Sequence, residues 1–171
     1  MTITGKARLA GVMGWPVSHS RSPILHNYWI AKYGIDGAYL PLPVRPEDFP
    51  AAVRALPKLG FAGANVTVPH KEAALKLVDE VDPVARRVGA VNTMIVQPTG
   101  RLVGRNTDVF GFLAALDARS SGWRGRLRTA VVLGAGGAAR AIIVALQDAG
   151  AREIRVVNRT RKRAETLARE F

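Results

Sequence analysis

Apolar positions along the chain fall in short runs broken by glycine, proline and small polar residues, and their spacing alternates between the period of a strand and that of a helix. Residues 8–13 read as a buried strand, and the loop over 14–21 follows it. Ser22 and Pro23 read as the N-cap and first-turn proline of a helix that runs to about Tyr33 and stops at Gly34. A strand over 38–44 carries Pro41 and Pro43, which confines it to a sheet edge. A helix near 46–56 precedes Pro57 and Gly60, a strand over 61–68 is closed by Pro69, and 70–78 reads as helical. Asp82 and Pro83 open a short helix that Gly89 ends. The segments 91–96 and 101–105 flank the turn 97–100 as a hairpin, and Asp108 caps a helix to about Ala118.

Between 119 and 128 the periodicity disappears while glycine and charge rise, which marks a linker. A strand over 129–133, a helix to about Ala149, a strand over 153–158 and a helix over 161–171 complete the chain. The order predicts an α/β fold in which a domain over 1–118 is followed, after a linker over 119–128, by the first part of a Rossmann-like domain over 129–171.

Composition changes this picture little. With 171 residues, 48% hydrophobic and 22% charged, the chain can build one core and the start of another. The absence of cysteine removes disulfides, thiolate metal sites and a cysteine nucleophile, and it fits a reducing cytoplasm. No metal site is expected. The apolar stretch 9–17 is interrupted by Gly11, Gly14 and Pro16, so it reads as strand and loop instead of a signal peptide. No run approaches the roughly 18 apolar residues that span a bilayer.

Charge matters more. The formal net charge is +12, and 12 of the 25 basic residues lie in 119–171 beside only four acidic ones. A basic tail invites nucleic acid, but aromatic residues make up only 6% of the chain, a poor stacking platform. A site for a phosphorylated small molecule accounts for the asymmetry without nucleic acid.

Such a site has a place. Gly134, Ala135, Gly136, Gly137, Ala138 and Ala139 follow a strand directly and open a helix, matching the G-x-G-x-x-[G/A] dinucleotide fingerprint in its strand-turn-helix setting. Glycine lets a pyrophosphate approach the backbone N–H groups of the helix start. An ordinary βα turn would look the same locally. At the end of the next strand, 24 residues after Gly134, an NAD enzyme places an acidic residue on the ribose hydroxyl. Here stand Asn158, Arg159, Thr160, Arg161, Lys162 and Arg163. Guanidinium groups pair with a 2′-phosphate, which favours NADP. A merely solvated basic helix start is the alternative, and macrodipole repulsion opposes it.

Several segments together resemble one family, the shikimate dehydrogenases: Gly11 to Pro23, Asn65-Val66-Thr67-Val68-Pro69-His70-Lys71, Gly89-Ala90-Val91-Asn92-Thr93, Gly104-Arg105-Asn106-Thr107-Asp108, the glycine turn, and Asn158-Arg159-Thr160. The resemblance implies an N-terminal substrate-binding α/β domain, a partial NADP-binding Rossmann domain, and reversible NADPH-dependent reduction of 3-dehydroshikimate to shikimate in aromatic amino-acid biosynthesis. It implies that Ser18 and Ser20 bind the substrate carboxylate, and that Asn65, Thr67 and Asn92 bind the ring hydroxyls. It also implies that Lys71 and Asp108 form the catalytic pair. Chemistry is compatible with each role, since reducing a ketone needs a proton donor at its oxygen and the reverse needs a base. A lysine at a helix start meets the positive dipole end, which eases release of its proton. On the residues alone, the serines read more readily as turn formers, the amides more commonly as loop caps, and the lysine and aspartate as surface charges.

Measured against that family the chain ends early. Residues 129–171 supply two strands and two helices where a doubly wound domain has two βαβαβ halves, about a hundred residues short of a domain of roughly 150. In the family that segment holds the nicotinamide side of the pocket. The 171 residues are therefore expected to bind shikimate weakly without turnover. The alternatives are a non-catalytic binder of shikimate-type molecules and a quinate/shikimate dehydrogenase, and the unpaired strand edge is compatible with a homodimer.

Overall fold

A computed structural model describes residues 3–171. In chain order the elements are β1 (Arg8–Gly14), α1 (Ser22–Lys32), β2 (Gly37–Pro43), α2 (Phe49–Ala55), β3 (Phe61–Val66), α3 (Lys71–Ala74), β4 (Glu80–Val81), α4 (Pro83–Val88), β5 (Thr93–Val96), β6 (Leu102–Arg105), α5 (Asp108–Arg119), α6 (Trp123–Arg126), β7 (Thr129–Leu133), α7 (Gly137–Asp148), β8 (Glu153–Val157) and α8 (Arg161–Glu170). The mixed α/β class expected from the sequence is what the chain adopts.

The residues pack into two units, which divide the chain differently from the predicted 1–118 boundary. The first comprises residues 1–82 and 91–105, the second 83–90 and 106–171. The physical reason lies in side chains that periodicity alone does not assign. Val88 and Ala90 at the end of α4 and Val109 of α5 are buried with Ala141, Val144 and Ala145 of α7. α4 and α5 thus both spend apolar residues on the helix that follows the glycine turn.

The first unit is built on one six-stranded sheet in the order β2-β1-β3-β5-β6-β4. β1 runs parallel to β2 and β3, whereas β3–β5 and β5–β6 pair antiparallel. β2 lies at the edge, where its prolines remove no ladder bond that a central strand would need. The two-residue β4 at the opposite edge went unseen in the sequence because it is too short to show a period. Phe49, Val53 and Leu56 are almost fully buried, each contributing about 1.5–3 kcal/mol. Phe49 stacks on His70 with ring centroids 4.1 Å apart. His70 Nε2 lies 2.8 Å from the Val44 carbonyl, which fixes the turn just before Lys71.

The second unit contains the parallel pair β7–β8 joined through α7, with α8 following β8. Val132, Ala139, Ile143, Leu146 and Leu167 form its second core cluster. The expected linker is partly helical. Asp117 accepts hydrogen bonds from Trp123 Nε1 at 2.7 Å and from both Nε and Nη2 of Arg124, which fold 123–126 into α6. A charge-rich stretch without periodicity gave no sign of this local tether.

Candidate active site

In the first unit, β1 and β3 end at the sheet edge where β5 begins: Met13 pairs with Val66, and Asn65 with Thr93. Asn65, Thr67 and Asn92 stand at these strand ends, and the loop carrying Ser18 and Ser20 leaves β1 there. The predicted polar residues of this unit are therefore brought to one edge, where ligands of open α/β sheets bind.

Side-chain hydrogen bonds give that edge a direction. The Tyr39 hydroxyl donates to Asn65 Oδ1 at 2.6 Å, Asn65 Nδ2 donates to Thr93 Oγ1 at 3.1 Å, and the Thr93 hydroxyl donates to Asn92 Oδ1 at 3.0 Å. Each link fixes the orientation of the next. The Asn92 oxygen is thereby turned towards Thr93 in a residue only 8% exposed. Burial pushes the Tyr39 phenol up to about 12, so the phenol keeps the proton it donates. His26 stacks on the Tyr39 ring, with centroids 4.1 Å apart. Tyr39 reads in the sequence as an ordinary strand residue, and Thr93 stands out only as the last residue of the segment 89–93 that carries the family resemblance.

Asn65 consequently enters the site with much of its capacity used, because its amide also reaches the Asn92 carbonyl at 3.4 Å. One acceptor lone pair of Oδ1 remains. Together with Tyr39, His26, Trp29, Thr93 and Met94 it lines an apolar cavity of about 360 Å³.

Ser18 is exposed and Ser20 half-buried. Helix α1 starts at Ser22 itself, and Arg21 rather than Ser22 occupies the N-cap position. Ser20 Oγ accepts the Ser22 N–H at 3.3 Å, leaving the Ser20 hydroxyl proton for donation. Thr67 packs tightly, since a Cβ on Gly14 would overlap its methyl group. Lys71 is the first residue of α3, and its carbonyl accepts the Val91 N–H at 2.9 Å. The expected helix over 70–78 is only one turn, so the aligned dipole at Lys71 is small.

The second unit holds Asp108, the glycine turn and the basic segment. Asp108 is the first residue of α5 and Thr107 its N-cap, one position earlier than expected. The backbone N–H of Asp108 donates to Asn106 Oδ1 at 3.0 Å, and Asn106 Nδ2 donates to the Ala90 carbonyl at 2.9 Å.

At the glycine turn, Gly134 has φ +113°, a conformation that requires glycine, and its N–H donates to the Val157 carbonyl at 2.7 Å. Gly136 differs. It caps α7 with φ −109°, and a Cβ there would meet no protein atom within 4 Å. Neither strain nor crowding explains glycine at 136, whereas the close approach of a pyrophosphate does. Gly137 begins α7, no side chain caps that helix, and Ala138 is exposed beside it. The site thus fits a dinucleotide phosphate.

Asn158 Nδ2 donates to the Thr160 carbonyl at 2.9 Å, shaping the turn into α8. Thr160 is the N-cap without a side-chain bond, and Arg161, Lys162 and Arg163 fill a first turn that holds no acidic residue. Arg159 is exposed at the strand end. Arg161 pairs with Glu165 at 2.7 Å, so part of its charge is already satisfied.

Comparison with known proteins bears on this arrangement. A model of the shikimate dehydrogenase substrate binding domain matches residues 12–94, and one of shikimate / quinate 5-dehydrogenase matches residues 119–171. The shikimate dehydrogenase (NADP(+)) of Paramagnetospirillum magneticum is 61% identical over 99% of this chain and 61% of that protein. The corresponding Rhodospirillum rubrum protein is 59% identical over 97% of this chain and 59% of its own length. Among solved structures, shikimate dehydrogenase from Aquifex aeolicus superposes with a TM-score of 0.92 at 39% identity, covering 99% of this chain and 62% of that one. The Thermus thermophilus enzyme in complex with NADP(H) and shikimate gives 0.81 at 43% identity, covering 95% and 60%. The chain therefore spans about three-fifths of the length of these relatives. With both family models matched in order, and the glycine turn and polar sheet edge falling inside the matches, the chain belongs to the shikimate dehydrogenase family.

Proposed function

We propose that this chain carries the substrate site and the cofactor-phosphate site of an NADP-dependent dehydrogenase that interconverts 3-dehydroshikimate and shikimate. The observation that supports this most directly is the gathering of Asn65, Thr67 and Asn92 with the Ser18–Ser20 loop at one sheet edge, in a chain 61% identical to a protein of that name.

In this reading Ser18 and Ser20 donate to the substrate carboxylate, and Thr67, Asn92 and the remaining acceptor of Asn65 bind ring hydroxyls. Lys71 donates a proton to the carbonyl oxygen during reduction and accepts it in reverse, while Asp108 orients the ammonium. Gly134, Ala135, Gly136, Gly137 and Ala138 hold the pyrophosphate at the start of α7. Arg159, Lys162 and Arg163, with Arg161 in part and Asn158 and Thr160 shaping the turn, hold the 2′-phosphate. The bound nicotinamide supplies the hydride. Among the described residues no helix is long and apolar enough to cross a membrane, and a cytoplasmic setting belongs to the same reading. So does a homodimer, checked by light scattering.

The test combines calorimetry with shikimate and NADPH absorbance with 3-dehydroshikimate, quinate being run beside shikimate. Weak saturable shikimate binding is expected of these 171 residues, and NADPH oxidation of a protein that spans the full length of the relatives. In a protein of that length, binding without oxidation would replace the enzyme reading with that of a binder, and binding of neither shikimate nor quinate would overturn both.

A further inference from the structure

Arg140 lies in the first turn of α7. Its Nε donates to the carbonyl of Val88, the last residue of α4, at 2.7 Å, and its Nη2 pairs with Glu170 at 2.5 Å. The side chain is 16% exposed, and its guanidinium lies 5.2 Å from the centre of the Phe171 ring. Gly89 has φ +72°, and a Cβ there would press into the same guanidinium. Two residues beyond Val88, the Ala90 carbonyl is held by Asn106, whose other amide atom holds the Asp108 N–H. Asn106 is only 6% exposed.

The segment 88–90 is thus gripped at both ends, by the helix that opens at the glycine turn and by the residue that seats Asp108. All of these groups lie within the second unit. We propose that Arg140 is a positioning residue: by fixing 88–90 it sets, through Asn106, where Asp108 stands relative to the glycine turn. The proposal rests on Asp108 serving the dehydrogenase reaction. A charge-assisted bond to a helix's last carbonyl would also arise as a plain C-terminal cap, which would stabilise α4 without bearing on Asp108.

A second tie between α4 and α7 separates these roles. Arg87 pairs with Asp148 at 2.6 Å on the exposed side of the same two helices. Arg140→Met keeps the apolar stem and removes the guanidinium, while Arg87→Ala removes only the outer tie. In the protein assayed for shikimate oxidation, Arg140→Met should lower kcat about tenfold or more, with the NADP dissociation constant within about threefold of the parent. Exchange of the Asp108 amide should quicken about tenfold. Arg87→Ala should leave kcat within about twofold. Adding Arg140→Met to Asn106→Ala should cost little beyond Asn106→Ala alone, because both act on one chain of contacts.

Unchanged kcat and unchanged Asp108 exchange in a folded Arg140→Met variant would overturn the proposal, as would an equal loss from Arg87→Ala. So would a loss traced wholly to NADP affinity. Should Arg140→Met fail to fold, Arg140→Lys, which keeps the charge but cannot reach both partners, must show the same changes to a smaller degree. A parent protein of its relatives' full length without shikimate oxidation would refute the dehydrogenase reading instead, and the exchange comparison alone would then decide whether Arg140 positions Asp108.

Discussion

Tyr39 of β2 reaches across β1 to donate a 2.6 Å hydrogen bond to Asn65 of β3, and through Thr93 this contact sets the orientation of Asn92. A strand residue chosen for packing thus also decides which atoms the site presents. Tyr39→Phe keeps the ring stacked on His26 and removes only the donor. It should weaken shikimate binding about threefold to tenfold, the value of one neutral hydrogen bond of about 0.5–1.5 kcal/mol. Calorimetry measures this, and an unchanged affinity in a folded variant would detach the relay from the site.

The same phenol gives the protein an alkaline limit. Its value is raised from 10.0 to about 12, chiefly by burial, so between these values the folded state binds more protons than the unfolded state. The stability it contributes is fully present below about pH 10 and is lost as pH rises towards 12. Denaturant midpoints measured across that window should fall with pH, and the slope should shrink in Tyr39→Phe. A slope identical in both proteins would remove Tyr39 as its source.

In a protein of its relatives' full length, Lys71→Ala should lower turnover roughly a hundredfold or more, the scale of a lost general acid or base, while shikimate binding survives in part. Steady-state kinetics beside calorimetry separate the two effects. Undiminished turnover would take Lys71 out of the mechanism.

Arg159→Ala should weaken NADP binding by about 1.5–3 kcal/mol, the range for hydrogen bonds to charged groups, and leave NAD nearly unaffected. Equal losses for the two cofactors would place Arg159 away from the 2′-phosphate.

What was legible in the sequence follows from physical range. The period of the apolar runs exposed β1, β2, β3, the β5–β6 hairpin and the β7–α7–β8–α8 order, because each element carries its own pattern. The glycine turn was legible because backbone geometry forces glycine at Gly134 and because Gly136 and Gly137 follow a strand at the spacing of a known fingerprint. Contacts between distant residues were not. Nothing in the run around Tyr39 announces Asn65, and nothing in Asn106 announces Ala90. Helix α3 shortened to one turn, and Ser22 gave up its cap to Arg21, since tertiary contacts shift element ends. The packing of α4 and α5 on α7 depended on which faces meet, information that a one-dimensional period does not carry.

The central claim is that the sheet edge at Asn65, Thr67 and Asn92, with the Ser18–Ser20 loop and Lys71, is a shikimate site. Its most direct test is titration of the protein with shikimate, following the amide signals of these residues by nuclear magnetic resonance. The account predicts saturable shifts concentrated at Ser18, Ser20, Thr67, Lys71 and Asn92, lost with Lys71 and Asn92 both replaced by alanine. Saturable shifts centred elsewhere, or no shift at millimolar shikimate, would contradict it.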